Sequence, residues 1–272
     1  MEYNDELFTK LQQGWDEPKN ACVDWANLTE SQLGEYIKSI IESGIKPMLK
    51  ALVNADETLI NVPAEKVVLL SKGEFSLIMG LYEYGEDGNT QKKKELIKRL
   101  SDTTSILEAA KSFREINFLY YIGLDDCLSV CEGVQGFAIA GFQLINKDAA
   151  VKELGLHLIC HELLHTIANS SAVNNLRLGD SMGDEAVNEF FARLATQYLI
   201  ASGKVLPTIC GITTTLQMKD AKGKGGEHDE WGTYGKRIKT SCDICKVVNS
   251  SNKLSALKAL ARFYFLGEER PK

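Results

Sequence analysis

Apolar residues recur at helical spacing through most of the first 125 residues of the chain. The run 27–55 has this spacing, and Pro47 within it predicts a kink or a break, because proline cannot donate a backbone hydrogen bond. The run 104–123 predicts another long helix that ends at Gly123. The front of the chain is therefore expected to be helical.

The pattern changes near residue 125. Residues 134–146 are punctuated by glycine and rich in aromatic and branched side chains, which predicts one strand or a tight pair of strands. Helices are expected at about 149–169 and 183–203, with a polar loop at 170–181 between them, and one more helix closes the chain. The whole predicts a mainly helical α+β fold with a small sheet.

Composition and charge exclude several classes of protein. The chain has 272 residues, of which 44% are hydrophobic, and a net charge of −6, which argues against nucleic acid or an acidic membrane surface as its main partner. Its N-terminus lacks the basic start and apolar stretch of a secretory signal, and no apolar run approaches the about 20 residues that span a bilayer. We expect a cytoplasmic protein without membrane or nucleic-acid partners; export by a signal-independent route is the alternative.

The cysteines predict reduced thiols rather than a disulfide framework. There are seven of them, an odd number in a chain that is not small. Cys242 and Cys245 form a CxxC pair, and a structural zinc site would need a second pair such as Cys127 and Cys131. We interpret these thiols as incidental, with a second zinc site as the alternative.

The spacing of the histidines singles out the helix predicted at 149–169. The chain contains four histidines, and His157, His161 and His165 follow one another at intervals of four residues, which places them along one stripe of a helix. Apolar residues surround them on nearly every side, so this helix is expected to be buried. Glu162 would then be a buried carboxylate, and burying its charge requires a compensating partner such as a metal ion.

The sequence HELLH at 161–165 matches the HExxH pattern, in which two histidines one helical turn apart bind one zinc ion. This composition gives an expectation of about 0.005 chance matches per chain, so coincidence is a poor explanation. Zinc lowers the pKa of a bound water to about 7, and Glu162 lies where it would accept the proton. His157 is expected to be a supporting or core histidine.

A catalytic zinc ion has three protein ligands and an open position, so one more ligand is needed. Glu185 is one candidate, because it lies 20 residues after His165 on a largely apolar helix whose polar stripe is acidic. Glu189, one turn further, would accept a hydrogen bond from a ligand histidine. The other candidate is His228, in a glycine-rich segment. The acidic stripe favours Glu185 over His228.

HELLH followed by DEAVNE resembles the gluzincins, which are the thermolysin-like zincins. The resemblance implies that His161, His165 and Glu185 are the zinc ligands, that Glu162 is the general base and that Glu189 supports the first histidine. Glu189 stands where thermolysin has aspartate, which is a departure from the pattern. Residues 134–200 are also similar to the small intracellular ImmA/IrrE-type peptidases, in which a strand precedes the HExxH helix.

The segment around His228 looks like the one that supplies the third zinc ligand in SprT-like metallopeptidases. In the gluzincin interpretation, His228 or Tyr234 would instead stabilise the oxyanion of the tetrahedral intermediate as a catalytic residue.

The resemblance implies a zincin-like core with the small sheet packed beside the HExxH helix, and a zinc-dependent endopeptidase that hydrolyses protein or peptide substrates. Residues 126–272 would form the metallopeptidase region, and residues 1–125 a helical scaffold or substrate-selecting region. The competing interpretation is a catalytically silent zincin-like protein that senses metal or binds peptides for regulation.

Overall fold

Helices dominate the part of the chain that the computed structural model describes. That part comprises residues 1–13, 37–54, 67–70, 136–139, 142–146, 155–179, 183–202 and 237–272. The prediction of a mainly helical protein is confirmed for these residues. None of the helices found in them has the length and apolar character needed to cross a membrane. The helix predicted at 104–123 and the boundary predicted near residue 125 lie outside the described residues.

The helices and strands have the following bounds. The helices are α1 (Asp5–Gln13), α2 (Lys46–Val53), α3 (Gly155–Ile167), α4 (Ser170–Gly179), α5 (Gly183–Ala201), α6 (Cys242–Asn249) and α7 (Lys253–Ala261). A π-helical turn, Ile41–Ile45, leads into α2, and a second one, Arg262–Leu266, follows α7. Three short strands are β1 (Val67–Leu70), β2 (Gly136–Ile139) and β3 (Phe142–Asn146).

The three strands pair in the order β1-β3-β2. Strand β1 runs parallel to β3, with Val67 opposite Gln143, and β2 runs antiparallel to β3, with Gly136 opposite Ile145. Both β2 and β3 fall within 134–146, where the sequence predicts one strand or a tight pair.

The backbone around Pro47 continues as a helix instead of breaking. Pro47 occupies the first turn of α2, directly after the π-helical turn, and the amide of Lys46 donates to the carbonyl of Ile41 five residues earlier. Proline has no N–H to donate and its ring crowds the preceding turn, so the wider turn accommodates it. The distortion expected at Pro47 therefore takes the form of a π-helical turn before α2.

The prediction of a polar loop at 170–181 is wrong, because residues 170–179 form α4. The Asn169 side-chain oxygen accepts hydrogen bonds from the amides of Ser171 and Ala172, which caps the start of this helix. Ala172 and Leu176, one turn apart, are buried. Two buried positions among polar neighbours are a weak periodic signal, and tertiary packing outweighs it.

Helix α5 lies at the centre of the described core. It packs against α3, α4, α2, the first π-helical turn and α1. Phe190 and Phe191 of α5 are fully buried, and the Phe190 ring stacks on that of Phe8 from α1, with centroids 6.3 Å apart. The described segments of the first 54 residues therefore share one core with the helices that carry the histidines and the acidic stripe.

Gly44 allows the first π-helical turn to approach the backbone of α5. A Cβ atom at this position would lie 2.9 Å from the carbonyl oxygen of Ala195. We expect Gly44→Ala to destabilise the fold. Overpacking should cost about 1–3 kcal/mol, and the higher helix propensity of alanine should offset up to about 1 kcal/mol of that cost. Chemical denaturation measures this effect. Gly179→Ala is the control, since a Cβ there meets nothing within 4 Å; equal midpoints for the two variants would contradict the steric explanation.

Candidate metal centre

Helices α3 and α5 bring three potential ligand side chains together. His161 and His165 lie one turn apart on α3, and Glu185 lies in the first turn of α5. Their side chains form a group that can hold a metal ion. The two Nε2 atoms are 3.1 Å apart, and the Glu185 Oε2 atom lies 3.2 Å from that of His161 and 3.3 Å from that of His165. The structure thus brings one ligand atom from each of the three predicted ligands to within 3.3 Å of the others.

The size of this triangle fits a tetrahedral metal site. Nitrogen and oxygen ligands lie about 2.0–2.2 Å from zinc, so two such ligands at a tetrahedral angle are about 3.3–3.6 Å apart. The three separations between His161, His165 and Glu185, at 3.1 to 3.3 Å, are within a few tenths of an ångström of that range. A small displacement of the side chains would complete the geometry.

Hydrogen bonding to the far side of the His161 ring determines which nitrogen faces the cluster. The Nδ1–H group of His161 donates to Oε2 of Glu189 over 2.9 Å. In a neutral imidazole with its proton on Nδ1, Nε2 presents a lone pair. That lone pair faces the Glu185 carboxylate. Because both groups are electron-rich, they repel each other unless a positive charge lies between them. Glu189 thus occupies the position of a carboxylate that orients a metal-binding histidine.

The hydrogen bonds within the cluster shift the pKa values of both His161 and Glu185. Burial by itself lowers the pKa of His161, but hydrogen bonds with Glu185 and Glu189 outweigh this effect and raise the pKa well above its usual value. Burial acts to raise the pKa of Glu185, but hydrogen bonds from His161 and His165 hold it well below its usual value. The cluster therefore favours positive charge between its ligand atoms, and a divalent cation would supply that charge with release of protons.

Glu162 is a buried carboxylate beside the cluster. Its residue is 4% exposed, and burial raises its pKa more than the charges of His161 and His165 lower it. Among the described residues, no side chain or backbone group forms a hydrogen bond with its carboxylate. A buried carboxylate is costly unless a partner compensates it, and its raised pKa makes it a better proton acceptor when ionised.

Sequence reasoning assigned no supporting role to three residues that contact the cluster or the residues that support it. Asn188 donates from Nδ2 to the backbone carbonyl of His161 over 2.8 Å and accepts a hydrogen bond from Tyr264. Arg193 donates from Nε to Oε1 of Glu189 over 2.8 Å. Arg193 had a detectable signal, a basic residue one turn after Glu189 on an apolar helix. Tyr264 had none, because it lies 76 residues from Asn188 along the chain.

The remaining site predictions are not tested by the geometry. His228 and Tyr234 lie outside the described residues. His157 is on α3, one turn before His161, and its expected supporting role stays a prediction. Cys242 and Cys245 begin α6 as free thiols, while Cys127 and Cys131 lie outside the described residues.

Comparisons of the chain with family models, with curated proteins and with solved structures find no match.

Proposed function

We propose that this protein is a zinc-dependent endopeptidase of the gluzincin type, with His161, His165 and Glu185 as the zinc ligands. The observation that carries the proposal is the triangle of their ligand atoms, whose sides measure 3.1, 3.2 and 3.3 Å. Two histidines and one carboxylate are the ligand set of several catalytic zinc sites that keep a fourth position open for water or substrate. Glu189 on the far nitrogen of His161 supports the same assignment.

Bound zinc would supply Lewis acidity, polarising a peptide carbonyl and acidifying a water molecule. Glu162 accepts a proton from the attacking water and transfers it to the leaving amine. Its position directly after the first histidine, its burial and its raised pKa support this role. A structural metal site would not require a buried carboxylate at this position.

The proposal includes a zincin-like core in which the sheet packs beside α3. Strands β2 and β3 contact α3, and β2 is at one edge of the sheet among the described strands. An edge strand can bind an extended peptide by main-chain hydrogen bonds. We propose that protein or peptide substrates bind in this way, that the enzyme acts in the cytoplasm, and that His228 or Tyr234 stabilises the oxyanion.

Metal analysis combined with cleavage-site mapping tests the proposal. The full chain, purified without chelator, is expected to retain about one zinc ion and to cleave a proteome-derived peptide library. Removal of the metal with a chelator should stop cleavage, and added zinc should restore it. Purified protein that neither retains nor binds zinc would contradict the proposal and would favour a helical scaffold without a metal.

A further inference from the structure

A chain of hydrogen bonds leads from the candidate metal centre to the N-terminal helix. The Nδ1–H group of His161 donates to one oxygen of Glu189, and the Nε–H group of Arg193 donates to the other over 2.8 Å. The Nη1 group of Arg193 then donates to the backbone carbonyl of Leu11 in α1 over 2.7 Å. Leu11 lies 182 residues from Arg193 along the chain, so this connection exists only in the folded protein.

Arg193 is well placed to fix the orientation of Glu189. It is fully buried and is the largest of the fully buried side chains in the described residues. Its planar guanidinium group donates in two fixed directions, towards Glu189 and towards Leu11. The Leu11 carbonyl belongs to the last turn of α1, where carbonyl groups have no partner within the helix and attract positive charge. The hydrogen bond to Leu11 therefore restrains the hydrogen bond to Glu189, and the reverse is also true.

Helix α1 is held in place by contacts that do not involve the metal ligands. The Phe8 ring stacks on Phe190, and the hydroxyl group of Tyr3, just before the helix, is hydrogen-bonded to that of Tyr198. The Lys253 amine lies 3.0 Å from the Asp5 carboxylate. Docking of α1 can therefore be weakened by a substitution that leaves Arg193 and Glu189 unchanged.

A buried ion pair is seldom the most stabilising way to fill a core, since well-packed apolar residues of similar volume often do better. Packing alone thus does not explain a fully buried arginine between α1 and Glu189. We propose that Arg193 is a positioning residue of the metal centre, and that docking of α1 and binding of the metal ion favour each other through Arg193, Glu189 and His161. The inference rests on the proposed zinc site.

The first experiment measures the zinc affinity of the full chain by competition with a chromophoric chelator. Arg193→Lys keeps the charge next to Glu189 but cannot reach both Glu189 and Leu11 in two fixed directions. We expect the zinc Kd to rise at least about 10-fold, the lower end of the effect of losing a group that orients a ligand. Phe8→Ala, which loosens α1, should also raise the Kd.

Arg270→Lys is the matched control. Arg270 makes the same kind of ion pair with a buried carboxylate, that of Asp243, and also binds Asn175, but no described contact joins it to the metal centre. Its substitution should leave the zinc Kd unchanged. Equal zinc affinities for the wild type, Arg193→Lys and Arg270→Lys would overturn the inference.

Hydrogen exchange on the wild type keeps the inference testable if a variant does not fold. Coupling between two sites is reciprocal, so zinc must strengthen the docking of α1 if docking strengthens zinc binding. Zinc is expected to slow amide exchange in residues 5–13 more than in residues 267–272, and Arg193→Lys should remove the difference. Zinc binding with no change in amide exchange at residues 5–13 would overturn this inference but not the proposed function. A wild type that binds no zinc would overturn the proposed function as well.

Discussion

Substitution of Glu162 by glutamine is expected to reduce kcat/KM for peptide hydrolysis by about 10²–10⁴-fold while zinc binding is retained. Glutamine has nearly the same shape as glutamate but cannot accept the proton of the attacking water. The His161 imidazole does not depend on this side chain for its orientation, since its Nδ1–H group donates to Glu189. The loss corresponds to about 3–5 kcal/mol of transition-state stabilisation.

The same substitution should not lower the stability of the fold. The Glu162 carboxylate is buried, and burial disfavours its charged form and so raises its pKa. A neutral amide in its place has a smaller desolvation cost, so the free energy of unfolding should stay constant or increase. Steady-state kinetics, zinc titration and chemical denaturation together measure these effects.

Glu268→Gln is the matched control for this experiment. Glu268 is exposed and pairs with Arg262 through two hydrogen bonds near the C-terminus, so its substitution should leave hydrolysis unchanged. Wild type and Glu162→Gln with the same measurable activity would rule out Glu162 as the general base. Zinc binding by both proteins without any hydrolysis would favour the competing interpretation of a protein that senses metal or binds peptides.

Substitution of Glu185 by alanine is expected to weaken zinc binding more than about 100-fold. Loss of a group that only orients a ligand typically costs 10–100-fold, in rough terms, and Glu185 is proposed to bind the ion directly. Zinc at about 100 times the wild-type Kd should stabilise the wild type by about 2.7 kcal/mol and should stabilise the variant little. Thermal unfolding with and without zinc measures the difference.

His228→Ala decides between the two candidates for the third ligand. If Glu185 binds the ion, His228→Ala retains zinc affinity, and any effect of this variant is on hydrolysis, where His228 is a candidate for oxyanion stabilisation. The opposite pattern, with zinc affinity lost in His228→Ala and retained in Glu185→Ala, would exclude Glu185 as the third ligand. The supporting position proposed for Glu189 would then need another explanation.

The local patterns of the chain were the most informative part of its sequence. The histidine spacing and the apolar residues around it predict the buried helix α3, and the apolar pattern after residue 182 predicts α5, which begins at the expected residue. The prediction failed for α4, because only two of its side chains are buried and its amide cap, Asn169, also occurs in loops. Arg193 was missed because a single basic residue on an apolar helix does not reveal its partners.

What the sequence by itself determined is local. Two residues four positions apart on a helix lie on the same face wherever that helix packs, so the pairing of His161 with His165 follows from backbone geometry. The position of Glu185 against them depends on how α5 crosses α3, and the link from Glu189 through Arg193 to Leu11 depends on the docking of α1. These contacts join residues that are 24 and 182 positions apart. Only burial of the apolar faces of α1, α3 and α5 in a common core brings them together.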